Sequence, residues 1–110
     1  PIFACKYASS ADCVLLLKGS QTFITNGHSR WFNSTGNPGM ASGGSGDCLT
    51  GIIASLLGQN YSPWDAARLG AFIHGLAGDI AAEAIGQGGL VATDLIKYLP
   101  IAIQRVTSCE

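Results

Sequence analysis

The chain has 110 residues, of which 47% are hydrophobic and 12% charged, with a formal net charge of −1. That length holds one small domain, the charge leaves no basic patch for nucleic acid, and no apolar run nears the ~18 residues of a membrane span. Charge well below the roughly 25% of an ordinary domain predicts a surface that is largely covered, by further parts of a domain, by sister subunits, or by both.

Residues 1–12, with Phe3, Ala4, Tyr7 and Ala8, read as the end of a helix. The apolar run Cys13-Val14-Leu15-Leu16-Leu17 has the length of a strand buried on both faces, as in a parallel sheet. Lys18-Gly19 closes it. Thr22-Phe23-Ile24-Thr25 reads as a second strand ended by the turn signal Asn26-Gly27, and Arg30-Trp31-Phe32 as a third. Residues 33–45 are too rich in glycine for regular structure.

Three helices are expected after that. The first runs from about Asp47 to Leu57 and stops at Gly58. The second opens with Ser62 as cap, Pro63 at the first helical position and Asp65 as a capping-box acid, and stops at Gly86. Its many alanines and glycines imply close approach by neighbouring elements. The third starts near Thr93-Asp94 and is expected to be divided at Pro100.

The chemistry concentrates in Gly36-Asn37-Pro38-Gly39-Met40-Ala41-Ser42-Gly43-Gly44-Ser45-Gly46-Asp47. Glycines let a backbone approach a phosphate closely. A helix beginning at the end of such a run points its unpaired N–H groups and its dipole at the anion. Asp47 stands on that turn, where a carboxylate beside an anion makes sense as a proton acceptor from an attacking hydroxyl. The blander role for Asp47 is stabilisation of its own helix.

Other candidates are read as structural. His74, between Phe72, Ile73 and Leu76, is expected to be packed and hydrogen-bonded, and His28 to be an exposed turn residue. Trp31, Trp64 and Met40 are expected to pack. Asp79 and Glu83 are placed on a solvated or subunit-facing side. Asn33, Thr35 and Asn37 either bind substrate or shape the loop. Cys5, Cys13, Cys48 and Cys109 have neither CxxC pairing nor metal-ligand spacing, so reduced, buried thiols are expected. No secretory signal is visible and the chain opens on Pro1, so it reads as a fragment or processed product.

Extended through Cys48-Leu49-Thr50-Gly51, the glycine-rich run resembles the signature of the ADP- or ATP-dependent NAD(P)H-hydrate dehydratases of the ribokinase-like superfamily. Leu17-Lys18-Gly19-Ser20-Gln21-Thr22 resembles their lysine-glycine nucleotide segment, and His74-Gly75-Leu76-Ala77-Gly78-Asp79 their H-G-x-A-G-D stretch. Asn37-Pro38-Gly39-Met40-Ala41 favours dehydratases over other superfamily members, and Ser45 stands where threonine is common. The resemblance implies the C-terminal part of a three-layer α/β/α domain, without its N-terminal half. It implies that hydrated NAD(P)H is phosphorylated on its hydroxyl by ADP or ATP, with Mg2+ accompanying the nucleotide, and that phosphate is then eliminated. Asp47 would be the base and touch the substrate. Gly44, Ser45 and Gly46 would form the anion hole; Lys18, Gly19, Ser20, Gln21, Thr22 and Gly46 would hold the nucleotide. A cytoplasmic homo-oligomer is expected. The rival readings are a small-molecule kinase of the same superfamily and an inactive fragment that only binds nucleotide.

Overall fold

The computed structural model describes residues 2–11, 13–18, 22–40 and 44–108. Helix α1 (Ile2–Ala11) leads into three short strands, β1 (Leu15–Leu17), β2 (Phe23–Thr25) and β3 (Arg30–Phe32). A 3-10 turn at Pro38–Met40 precedes helices α2 (Ser45–Gly58), α3 (Pro63–Ile85) and α4 (Ala92–Ser108).

The sheet corrects the parallel reading. Strand order is β1-β2-β3, and both pairings are antiparallel, with Leu16 opposite Ile24 and Ile24 opposite Trp31. The connections through positions 18–22 and 26–29 explain this, because a parallel crossover needs about a dozen residues or more. The apolar run is only half-buried on its edge strand, whereas every residue of the central β2 is buried. Its continuous hydrophobicity therefore does not report burial on both faces.

The row Leu16, Ile24 and Trp31 packs with Leu49, Ile53, Trp64, Ala67 and Ala71 of α2 and α3. On the opposite face α1 covers the sheet, bringing Cys5 Sγ to 3.5 Å from Thr25 Oγ1. Helix, sheet and helix pair thus form three layers. Helix α4 completes the far side of α3 through Tyr98, Leu99, Ala102 and Val106 against Ile73, Ala77 and Ile80. Trp31 and Trp64 pack as expected, and Trp64 also lies 5.0 Å beneath the Arg68 guanidinium. His28 is exposed in a turn where Asn26 Oδ1 accepts its N–H at 2.9 Å.

Helix α3 follows its sequence signals closely. Ser62 Oγ accepts the Asp65 N–H at 3.2 Å, Pro63 occupies the first turn, and Gly86 closes the helix at φ 83°. The Asp65 carboxylate itself turns to Arg68, 2.7 Å away. Two boundaries differ from expectation. Helix α2 begins at Ser45, ahead of Asp47, and ends at Gly58 as expected, with Gln59 as its C-cap. Helix α4 passes unbroken through Pro100. Proline forfeits one ladder hydrogen bond, but Leu95 and Ala102, fully buried on either side of it, hold both halves against the core. Asp94 Oδ2 accepts the Val91 N–H at 2.9 Å and fixes the start of α4.

The small residues of α3 admit its neighbours. A Cβ at Gly70 would fall 2.7 Å from Ile53 Cγ1 of α2. One at Gly75 would fall 2.7 Å from the Thr35 carbonyl carbon, and one at Gly78 would collide with the Met40 side chain, which packs there as expected. Gly75→Ala tests this. In an open helix the change gains up to about 1 kcal/mol, but here the methyl meets backbone, and overpacking costs about 1–3 kcal/mol. Gly75→Ala is expected to lower Tm, and an unchanged or higher Tm in a thermal melt would contradict the close approach.

Candidate anion site at the start of α2

Gly44 sits at φ 89° in the left-handed region and forms the N-cap of α2. Glycine supplies that conformation without strain, and it brings no side chain to cap the helix. The first backbone bond of the helix joins Cys48 N–H to Gly44 carbonyl at 3.1 Å. The N–H groups of Ser45, Gly46 and Asp47 precede that ladder and lie at the positive end of the helix dipole. Thr50 Oγ1 donates to the Gly46 carbonyl at 3.0 Å, steadying the turn from below.

Lys18, at the end of β1, brings a second positive charge. Its Nζ lies over Gly46, where any Cβ would collide with it. The structure thus brings together Lys18, Gly44, Ser45, Gly46 and Asp47, the last with its side chain exposed. Thr22 starts the next segment, and its carbonyl accepts the Asn33 N–H at 2.8 Å. Gly19, Ser20, Gln21 and Gly43 lie outside the described residues, as do Ala41 and Ser42.

The loop before the site is tied to α3. Asn33 Nδ2 donates to the Ala71 carbonyl at 3.0 Å, and Thr35 Oγ1 donates to the Phe72 carbonyl at 2.9 Å. Asp79 accepts from Gly36 N–H at 3.0 Å and from Asn37 Nδ2 at 2.9 Å. In these contacts Asn33, Thr35 and Asn37 shape the loop. The solvated placement of Asp79 is overturned: it is half-buried, with both carboxylate oxygens engaged. Positions 75, 78 and 79 share one helix face, so an acid beside two glycines was the available signal for a docked loop.

His74 is buried and hydrogen-bonded, as expected, but its partner is in the site. Its Nε2 lies 3.0 Å from the Ser45 carbonyl and 3.2 Å from Ser45 Oγ. Burial pushes the imidazole below its ordinary pKa of 6.5; the Ser45 hydrogen bond opposes this and the Lys18 charge adds to it. A folded-state pKa below the unfolded value means the unfolded chain binds more protons once the pH drops. Stability is therefore expected to be complete above pH 6.5 and to decline as the pH falls from there toward the lower folded value. Melts across this window on wild type and His74→Gln check it: the substitution should remove part of the slope, and identical slopes would exclude His74 as a source.

The thiols are less buried than expected. Cys5, Cys13 and Cys48 are free, Cys13 is exposed, and Cys109 lies outside the described residues. Burial raises the Cys48 pKa, which disfavours the reactive thiolate. No group of three His, Cys, Asp or Glu side chains suited to a metal occurs among the described residues. No helix among them is long and apolar enough to cross a membrane.

Two surface cavities lie elsewhere. One of about 320 Å³ is lined by Trp31, Tyr61, Asp65, Arg68, Leu69 and Phe72; the other, of about 290 Å³, lies between Asn26, His28 and the start of α3. Neither is lined by Lys18 or by residues 44–47. The concentration of N–H groups, ammonium and carboxylate makes the open turn, rather than either cavity, the candidate for anion chemistry.

Known proteins share both the sequence and the fold of this chain. A family model described as NAD(P)H-hydrate dehydratase matches residues 3–101. The bifunctional NAD(P)H-hydrate repair enzyme Nnr of Moorella thermoacetica is 51% identical over 104 residues, covering 94% of this chain and 20% of that protein. The Escherichia coli Nnr is 45% identical over 98 residues, covering 88% of this chain and 18% of that protein. The ADP/ATP-dependent NAD(P)H-hydrate dehydratase from Bacillus subtilis, co-crystallised with ATP/Mg2+ and soaked with CoA, superposes with a TM-score of 0.88 at 32% identity. That match covers 94% of this chain and 39% of the solved one. The chain thus spans about a fifth of the length of these curated relatives. With the family model covering nearly all of its described elements, the chain belongs to the NAD(P)H-hydrate dehydratase family.

Proposed function

We propose that this chain is the C-terminal part of one ribokinase-like domain that restores hydrated NAD(P)H to NAD(P)H at the expense of ADP or ATP. The observation that carries the reading is the Lys18 ammonium over Gly46, at the uncapped start of α2, with the Asp47 carboxylate exposed on the same turn. In this reading Lys18, Thr22 and Gly46, with Gly19, Ser20 and Gln21, hold the nucleotide. Asp47 takes the proton of the substrate hydroxyl as its oxygen attacks the terminal phosphorus and the nucleotide leaves. The N–H groups of Ser45, Gly46 and Asp47, with Gly44 opening the turn, stabilise charge on the transferring group. Phosphate then departs with the electrons of its carbon–oxygen bond while the neighbouring carbon loses a proton, which restores the double bond.

Mg2+ would travel on the nucleotide phosphates and neutralise their charge, in keeping with a site that offers a single carboxylate on its turn rather than a protein cage. A cytoplasmic homo-oligomer is part of the proposal. Low charge supports further coverage of the surface, as do the exposed Leu17, Phe32, Ile96, Ile101 and Ile103.

The test supplies hydrated NADH with ADP or with ATP to the full-length protein that contains this chain. Recovery of reduced-nicotinamide absorbance that depends on one nucleotide is the expected result and names the donor. Accumulation of a phosphorylated alcohol without that recovery would replace the dehydratase with a kinase.

A further inference from the structure

We propose that α3 acts as a clamp on the glycine-rich loop, with Asp79 and His74 as positioning residues at its two ends. The inference rests on the reading of residues 36–47 as the anion loop. At the entry, the two carboxylate oxygens of Asp79 hold Gly36 N–H and Asn37 Nδ2. At the exit, His74 Nε2 meets the carbonyl and hydroxyl of Ser45. Positions 74 and 79 are about 7.5 Å apart along a helix axis, whereas the chain between positions 36 and 45 could span about 30 Å if extended. Thr35 on Phe72, and the approach to Gly75 and Gly78, press the entry side onto the same helix.

The His74 contacts also assign a proton. The Ser45 carbonyl can only accept, so His74 Nε2 must carry a hydrogen. A protonated Nε2 cannot accept the Ser45 hydroxyl proton, so Ser45 Oγ stands toward it as an acceptor. The hydroxyl hydrogen of Ser45 is then available to another acceptor. Ser45 is the first residue of α2, next to Gly46 beneath Lys18, and the acceptor suited to that corner is an oxygen of a phosphoryl group. Burial disfavours the doubly protonated ring, and the Ser45 carbonyl is what selects Nε2 for the hydrogen that remains.

The first measurement is the tautomer of His74 in the wild-type full-length protein, by long-range nitrogen–proton NMR. An Nε2–H ring is expected, and an Nδ1–H ring would overturn the proposal even if no variant folded. The second compares hydrogen exchange of peptides spanning residues 36–47 with those of α4, and ATP affinity by calorimetry, in His74→Phe, His74→Gln and Asp79→Asn. His74→Phe and Asp79→Asn should speed exchange selectively in the loop and weaken ATP binding about tenfold, the loss expected for one hydrogen bond to a charged partner. His74→Gln, which returns a donor near the Nε2 position, should restore both toward wild type. Uniform loss of protection with no loop-specific change, no rescue by glutamine, or no ATP binding by wild type would each overturn the clamp. These readouts use no hydrated cofactor. ATP binding with the expected loop effects but no NAD(P)H recovery would sink the dehydratase reading alone. Recovery of NAD(P)H with unaltered loop exchange in folded variants would sink the clamp alone.

Discussion

Asp47→Asn is expected to cut turnover by about 10²–10⁴-fold, the usual contribution of a positioned general base, while ATP binding stays equal or becomes tighter. Asparagine keeps the size of the side chain at the third position of α2 but removes the group that takes the proton. It also removes a negative charge from beside the bound phosphates. The competing role for Asp47, stabilisation of its own helix, is worth about 0.3–1 kcal/mol and predicts a different pattern. Under it, Asp47→Asn would lower Tm slightly and leave turnover near normal. Steady-state rates, calorimetric ATP affinity and Tm on one preparation separate the two, and a near-normal rate would remove Asp47 as the base.

Gly46→Val is expected to weaken ATP binding by about tenfold to a hundredfold, the range for losing a charge-assisted contact of about 1.5–3 kcal/mol. Its Cβ would occupy the space of Lys18 Nζ. Lysine can swing away, so the fold should survive and Tm should change little. What is lost is the ammonium over the turn and the close approach of the anion to the N–H groups. Lys18→Ala should reproduce part of the loss, and Gly46→Ala should fall between wild type and valine. An unchanged affinity in folded Gly46→Val would move the anion site away from the start of α2.

The candidate site was legible because its signals are local. A left-handed glycine, an uncapped helix start and an acid in the first turn lie within positions 44–47, and the matched motif supplied the lysine segment. The junction of Lys18 with Gly46 was not readable from spacing, because it depends on where β1 ends relative to α2. The anchoring of the loop was missed for a related reason. Asp79 shares a helix face with Gly75 and Gly78, which marks a close approach, but only the docked chain shows that its partners are Gly36 and Asn37. His74 was expected to pack with a hydrogen bond, but which hydrogen bond could not be read from its helix.

By itself the sequence determined the bounds of α3, since Ser62, Pro63 and Gly86 act on their own backbone at short range. It determined the family through contiguous motifs, and it marked a candidate place for an anion through glycine and helix-end chemistry. Tertiary structure decided the rest. The short connections forced an antiparallel sheet where the apolar run suggested a parallel one. Burial on both sides of Pro100 kept α4 whole against the local preference of proline. And the small-residue face of α3 became a seat for the loop only when residues distant in the chain packed onto it. Local rules settle caps and turns within a few residues, whereas strand direction, a retained proline and a clamped loop depend on contacts between distant parts of the chain.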